Sequence, residues 1–229
     1  MIPIATNLRI AKTPWITYSI VAANVLIHLT VTWITDFVIS DGVVRTFGFQ
    51  PALFGNLSVL PTLVTSMLLH GDLLHLLGNM VFLLVFGRRV ENQLEGINFL
   101  TFYLTTGISA CLAHMFIQPN SSSPLIGASG AISGVLGAFF ICNPRARITL
   151  VLEPVLIYFL RRLIIRLPAY IFLLAWFFLQ ISMGLKQQGS NVAFWAHVGG
   201  FAAGALISVT VHSYISRHRP YRSRVDRRS

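Results

Sequence analysis

The sequence predicts an all-α membrane protein: a six-transmembrane-helix bundle whose short fourth helix starts inside the membrane. Three observations carry that class. The 229 residues are 55% hydrophobic and only 10% charged, with a mean hydropathy of +0.71, whereas soluble domains carry about 25% charged residues. Mostly apolar runs of roughly 17 residues or more recur along the chain, too long for the core helices of a small globule. All 17 Lys and Arg side chains except Arg45 and Lys186 fall on one side once the spans alternate. This asymmetry obeys the positive-inside rule and places the N- and C-termini in the cytoplasm.

The spans are expected near Trp15–Ile34, Thr65–Phe86, Asn98–Ile117, Gly130–Cys142, Leu167–Met183 and Ala193–Ser213. Basic residues precede the first, as in a signal peptide. It is long, however, and ends in Trp33-Ile34-Thr35-Asp36 with no small-residue cleavage pattern, so it reads as a retained anchor. Residues 37–63 make a long outer loop. Gly42, Gly48, Pro51, Gly55 and Pro61 break it, and the apolar residues between them suit the outer membrane interface. Arg88, Arg89, Glu91 and Glu95 are expected in an inner loop of structural role. The segment from Gln118 to Pro124 is polar and uncharged, fit to line a wet entrance.

The fourth span decides the reading. From Gly130 to Cys142 there are 13 residues, and Asn143-Pro144-Arg145 then stops the helix. At ~1.5 Å per residue it reaches ~20 Å, against ~30 Å of bilayer hydrocarbon. Its start therefore lies within the membrane, where irregular backbone is tolerated only under protein cover or beside water. Further on, Glu153 to Arg166 alternates apolar residues with arginines and is expected as a short interfacial helix. Lys186 to Asn191 forms a hydrophilic last outer loop. The chain reads as one membrane domain over 1–229, with a core of about 15–213 and a basic cytoplasmic tail over 214–229.

Several function classes drop out. Topology accounts for the net charge of +10, so no nucleic acid is called for. Cys111 and Cys142 fall near opposite membrane faces, and no disulfide is expected. The histidines lack a His-x3-His pattern with an acid, and no second ligand cluster exists, so neither a metal nor another cofactor is expected. A transporter or channel would show carboxylates along a path or a repeat symmetry, and neither is visible. The partner expected from composition is the lipid bilayer.

Polar groups within spans are costly, and they mark the chemistry. The second span carries His70, His75 and Asn79, and the sixth carries His197. His75 and Asn79 lie ~40° apart on one helical face. Ser129 opens the fourth span between Gly127 and Gly130. By the span order these groups share the outer half of the membrane, so the candidate site opens to the outer face. A serine hydroxyl needs a base, and a neutral imidazole such as His197 serves and can pass the proton to a leaving amine. Asn79, His75 and the Ser129 N–H at a helix start would donate to a developing oxyanion. No carboxylate completes a triad. Among the seven acids only Asp72 lies near the right depth, at the mouth of the second span. The reading is a Ser129–His197 dyad. Gly127 and Gly130 let backbone approach the reacting carbonyl, and Ala196, Gly200 and Gly204 face Gly130, Gly134 and Gly137 as close-approach surfaces. His28, His114, His212 and His218 match no such role.

Gly127-Ala-Ser-Gly130, His70-x4-His75-x3-Asn79 and Ala196-His197-Val-Gly199-Gly200, in this order, resemble the signature segments of the rhomboid intramembrane serine proteases. The likeness also takes in Phe86-Gly87…Glu91…Gly96, Phe102-Tyr103 and Pro168-Ala169…Trp176…Gln180. It implies Ser129 as nucleophile and His197 as base. His75, Asn79 and the Ser129 N–H would form the oxyanion hole, with His70 as a supporting hydrogen-bond residue. It further implies cleavage in or near transmembrane segments without ATP or metal, the substrate entering past the fifth span and the last outer loop. Many members carry a Trp-Arg pair before the second span; here Ser58-Val59-Leu60-Pro61-Thr62 stands instead, and the loop's anchoring is not implied. The alternative is a catalytically idle relative that binds membrane clients for quality control. The compact six-span form suits a prokaryotic plasma membrane.

Overall fold

The computed structural model describes residues 2–34, 39–151, 164–186 and 192–218, the last eight as backbone. The protein is mostly helical. Among the described residues, helices α1 (Trp15–Ile34), α2 (Leu73–Leu94) and α3 (Ile97–Ile117) are long and apolar enough to cross a membrane. Three further helices follow: α4 (Ser129–Cys142), α5 (Ala169–Leu185) and α6 (Phe194–His218). Leu26, Leu74, Phe116, Leu185 and Leu206 stay exposed on these helices. Such a surface suits lipid contact, since lipid tails are as apolar as leucine.

Packing is tightest where small residues meet. A Cβ on Gly200 would strike the Gly130 carbonyl, one on Gly204 the Gly134 backbone, and one on Gly137 the Phe201 carbonyl. Helices α4 and α6 therefore approach backbone to backbone, as their glycine spacing predicts. Around this contact Phe86 meets Phe139 edge-on at 5.0 Å between centroids and lies parallel to Phe172 at 6.5 Å.

The chain departs from the all-α expectation at one end. Strands β1 (Ile2–Thr6), β2 (Arg147–Val151) and β3 (Ile164–Pro168) form an antiparallel sheet in that order. Ile2 pairs with Val151, and Arg147 with Pro168. Strand β2 reads Arg-Ile-Thr-Leu-Val, and its alternate residues Ile148 and Leu150 are fully buried. That period-two burial of β-branched and apolar residues favours a strand. The expected interfacial helix is overturned where it can be seen, since its last residues, Ile164 to Arg166, belong to β3. Residues 153–163 lie outside the described residues.

The second span is also shifted. Its helix begins at Leu73, not near Thr65, because Asp72 caps it: the Asp72 side chain accepts from the His75 N–H at 2.8 Å. Residues 66–68 form a 3₁₀ turn, and His70 lies between that turn and the helix. At its other end α2 continues through a π-turn at Leu83–Gly87 into Arg88–Leu94. Arg88, Arg89 and Glu91 are therefore helical rather than in a loop. Their polar groups find partners there: Arg88 donates to the Leu84 carbonyl, Arg89 Nη1 donates to the Arg9 carbonyl at 3.2 Å, and the Glu91 carboxylate accepts from the N–H groups of Ile16 (2.9 Å) and Thr17 (2.7 Å). Helix α5 starts at Ala169, two residues later than expected, because β3 occupies Leu167 and Pro168.

Candidate functional site

Ser129 owes its position to a loop held by backbone bonds. Phe49 and Leu125 exchange N–H···O bonds of 3.0 and 2.7 Å, and Ala52 donates to Ser121 at 3.0 Å. These bonds clasp the long loop to the segment entering α4, an anchoring the sequence does not reveal. The Gly127 N–H then donates to the Ser66 carbonyl at 2.8 Å. Gly127 itself takes φ +115°, a conformation that favours glycine. Ser129 follows as the first residue of α4. N–H groups of a first helical turn lack intrahelical acceptors and face outward along the axis.

His197 stands in the first turn of α6, opposite Ser129. Its Nε2 lies 2.8 Å from Ser129 Oγ, and its Nδ1 lies 2.8 Å from Gln180 Oε1 on α5. Trp176 packs near its ring at 6.1 Å between centroids, and Phe194 meets it edge-on at 6.4 Å. Ser129 Oγ, the His197 ring and the Gln180 amide thus form a continuous polar chain across α4, α6 and α5. Asp72 takes no part in it, since its carboxylate caps α2.

On the other side of Ser129, α2 presents His75 and Asn79. A Cβ built on Gly127 would lie 2.8 Å from both Cε1 and Nε2 of His75, and 3.6 Å from Asn79 Nδ2. Both side chains therefore lean on the glycine two residues before the serine. Asn79 Nδ2 is buried and has no hydrogen-bond partner. A buried donor without a protein partner is costly unless water or a ligand meets it.

His70 is fully buried and packs edge-on against His75, 5.1 Å between centroids. Neither ring nitrogen completes a hydrogen bond of ordinary geometry, although the Leu68 backbone lies beside the ring. The structure thus gives His70 a ring contact rather than a hydrogen bond to the site. Gly130 touches Ala110 on α3, where a Cβ would come within 2.6 Å. A cleft bordered by Met67, Gly107, Ala110, Cys111 and Ala196 opens beside Ser129. His28 and His114 are buried, and the side chains of His212 and His218 lie outside the described residues. No three His, Cys, Asp or Glu side chains converge to hold a metal among the described residues. Residues 187–191, most of the expected last outer loop, also lie outside them.

A family model described as the Rhomboid domain matches residues 58–214, well over half of the chain. The chain belongs to the rhomboid family. This rhomboid is 28% identical over 224 residues to "RHOMBOID-like protein 6, mitochondrial" of Arabidopsis thaliana, a match covering 84% of the chain and 67% of the relative. It is 26% identical over 170 residues to "Rhomboid protein 1, mitochondrial" of Saccharomyces cerevisiae, covering 70% of the chain and 44% of the relative. "Rhomboid-related protein 2" of Mus musculus is 30% identical over 156 residues, covering 66% and 47%. The chain thus spans between 44% and 67% of the length of these three relatives.

Gln180 is the residue that sequence reasoning passed over as chemistry. A signal was present, since it is the one amide in the apolar run Ala169–Leu185, and a polar group in such a helix calls for a partner.

Proposed function

We propose that the chain is an intramembrane serine endopeptidase that hydrolyses peptide bonds in or near transmembrane segments of membrane-protein substrates, using a Ser129–His197 dyad without metal or cofactor. The observation that supports this best is the 2.8 Å approach of His197 Nε2 to Ser129 Oγ, with the other ring nitrogen already engaged. In the first step Oγ attacks the scissile carbonyl carbon while Nε2 takes the hydroxyl proton. The carbonyl π-electrons move onto oxygen, and the oxyanion is met by Asn79 Nδ2, His75 Nε2 and the Ser129 N–H. Donors placed this way are commonly worth ~3 kcal/mol each. Collapse expels the amine, which takes the proton from the imidazolium. Water then repeats the sequence on the acyl-enzyme, with the same base accepting and returning one proton.

On this reading the bundle has six spans, and α4 is the fourth, starting at membrane mid-depth. Arg9, Lys12, Arg88, Arg89, Arg145 and Arg147 gather near the sheet-bearing end. Their charge supports placing that end, with both termini, in the cytoplasm, so that the site opens to the outer face. The prokaryotic plasma membrane draws no support from plant, yeast and mouse relatives.

The test is cleavage of a single-span substrate by the purified protein in liposomes, with Ser129→Ala and His197→Ala beside the wild type. Product from wild type alone, unaffected by EDTA, is the expected result. Equal cutting by all three would overturn the dyad. Absence of cutting, combined with failure of Ser129 to react with a fluorophosphonate probe, would favour the client-binding alternative.

A further inference from the structure

We propose that Gln180 is the positioning residue of the dyad, its side-chain carbonyl fixing the tautomer of His197. This rests on the dyad reading above. A neutral imidazole carries one N–H, and only the tautomer with the proton on Nδ1 leaves an Nε2 lone pair to take a proton from serine. Gln180 Oε1 lies 2.8 Å from Nδ1, and an amide oxygen can only accept, so Nδ1 is the donor in that pair. Nε2, 2.8 Å from Ser129 Oγ, is then the acceptor of the hydroxyl proton.

The surroundings leave the ring few other choices. Trp176 and Gln180 stand four residues apart on α5 and so share a face; the first packs against the imidazole and the second takes its Nδ1. Gln180 is 7% exposed, so the amide that meets this nitrogen is largely shielded from water. A carboxylate here would have to ionise in a site screened from water, which is expensive without a compensating charge. A neutral amide supplies the orienting acceptor without that cost, which explains how the dyad works with no acid nearby. Were the amide turned so that its NH₂ faced the ring, Nδ1 would have to accept and Nε2 would carry the proton, leaving no base for Ser129.

Two measurements test the assignment on the full chain in detergent micelles. The first is the ¹⁵N spectrum of its histidine rings, with His197 assigned by its disappearance in His197→Phe. Above the imidazole pKa, wild type is expected to show a protonated Nδ1 and a bare Nε2, and Gln180→Leu to lose that single-tautomer signature. A wild-type ring protonated on Nε2, or an unchanged tautomer in Gln180→Leu, would overturn the proposal. The second is turnover: Gln180→Leu should lower kcat by about tenfold to a hundredfold at unchanged KM. Gln180→Glu, whose carboxyl burial would hold in the neutral, protonated form with a carbonyl acceptor at the same reach, should restore most of that loss. Equal losses in both variants would reduce Gln180 to a packing role. The spectrum needs no turnover, so a wild type that neither cleaves nor reacts with the fluorophosphonate probe would sink the protease reading and leave the tautomer standing. Full kcat in Gln180→Leu, with Ser129→Ala dead, would sink this proposal alone.

Discussion

Gly127 and His75 are fitted to each other with no room for a side chain between them. The glycine holds φ +115°, and a Cβ there would come 2.8 Å from two atoms of the imidazole. Non-bonded atoms that close repel strongly, so a side chain at 127 would have to push the His75 ring out of its place.

Gly127→Val is therefore expected to reduce cleavage by about tenfold to a hundredfold, from backbone strain of roughly 1–3 kcal/mol and a displaced His75. The helical content by circular dichroism should stay at the wild-type level, because Gly127 lies outside every helix. Turnover equal to wild type would show that His75 has no part in the chemistry.

Asn79→Ala separates catalysis from stability. Its Nδ2 has no hydrogen-bond partner within the protein, so deleting it breaks no protein–protein hydrogen bond of the fold. The expected outcome is a kcat about a hundredfold lower, the loss of one oxyanion donor at ~3 kcal/mol, with KM and Tm close to wild type. A Tm that falls in step with activity would assign Asn79 to the fold instead.

Glu91→Ala should do the reverse. The buried carboxylate takes the N–H groups of Ile16 and Thr17 at the start of α1, where an anion also suits the helix dipole. Removal strands those donors, at about 1–3 kcal/mol for each one left buried and unpaired. Thermal unfolding in detergent should show a clearly lowered Tm, while kcat measured well below that temperature stays near wild type. An unchanged Tm would mean that water replaces the carboxylate.

Much of the helical layout was readable from the chain. The first and third helices lie within a residue of their expected bounds, since long apolar runs between breakers have few alternatives in a membrane. The second did not: hydropathy runs unbroken through Leu68 and Leu69, but the Asp72 cap starts the helix later, and hydropathy does not register caps. The same blindness hid the sheet. Residues 2–6 and 147–151 are far apart in sequence, and their pairing is a matter of backbone groups that every residue carries. The clasp between Phe49 and Leu125 went unseen for that reason as well.

The candidate site divides along a similar line. Ser129, His197, His75 and Asn79 could be picked out because polar groups are costly in an apolar setting and so stand out in these spans. The glycines of α4 and α6 announced a close approach by their spacing alone. Which ring nitrogen of His197 meets Ser129, that Gln180 rather than Asp72 meets the other, and that His70 meets the His75 ring edge-on are matters of side-chain direction. Residue types at intervals along a chain specify which faces come together. Distances of a few ångströms between atoms on separate helices follow only when all of those faces pack at once.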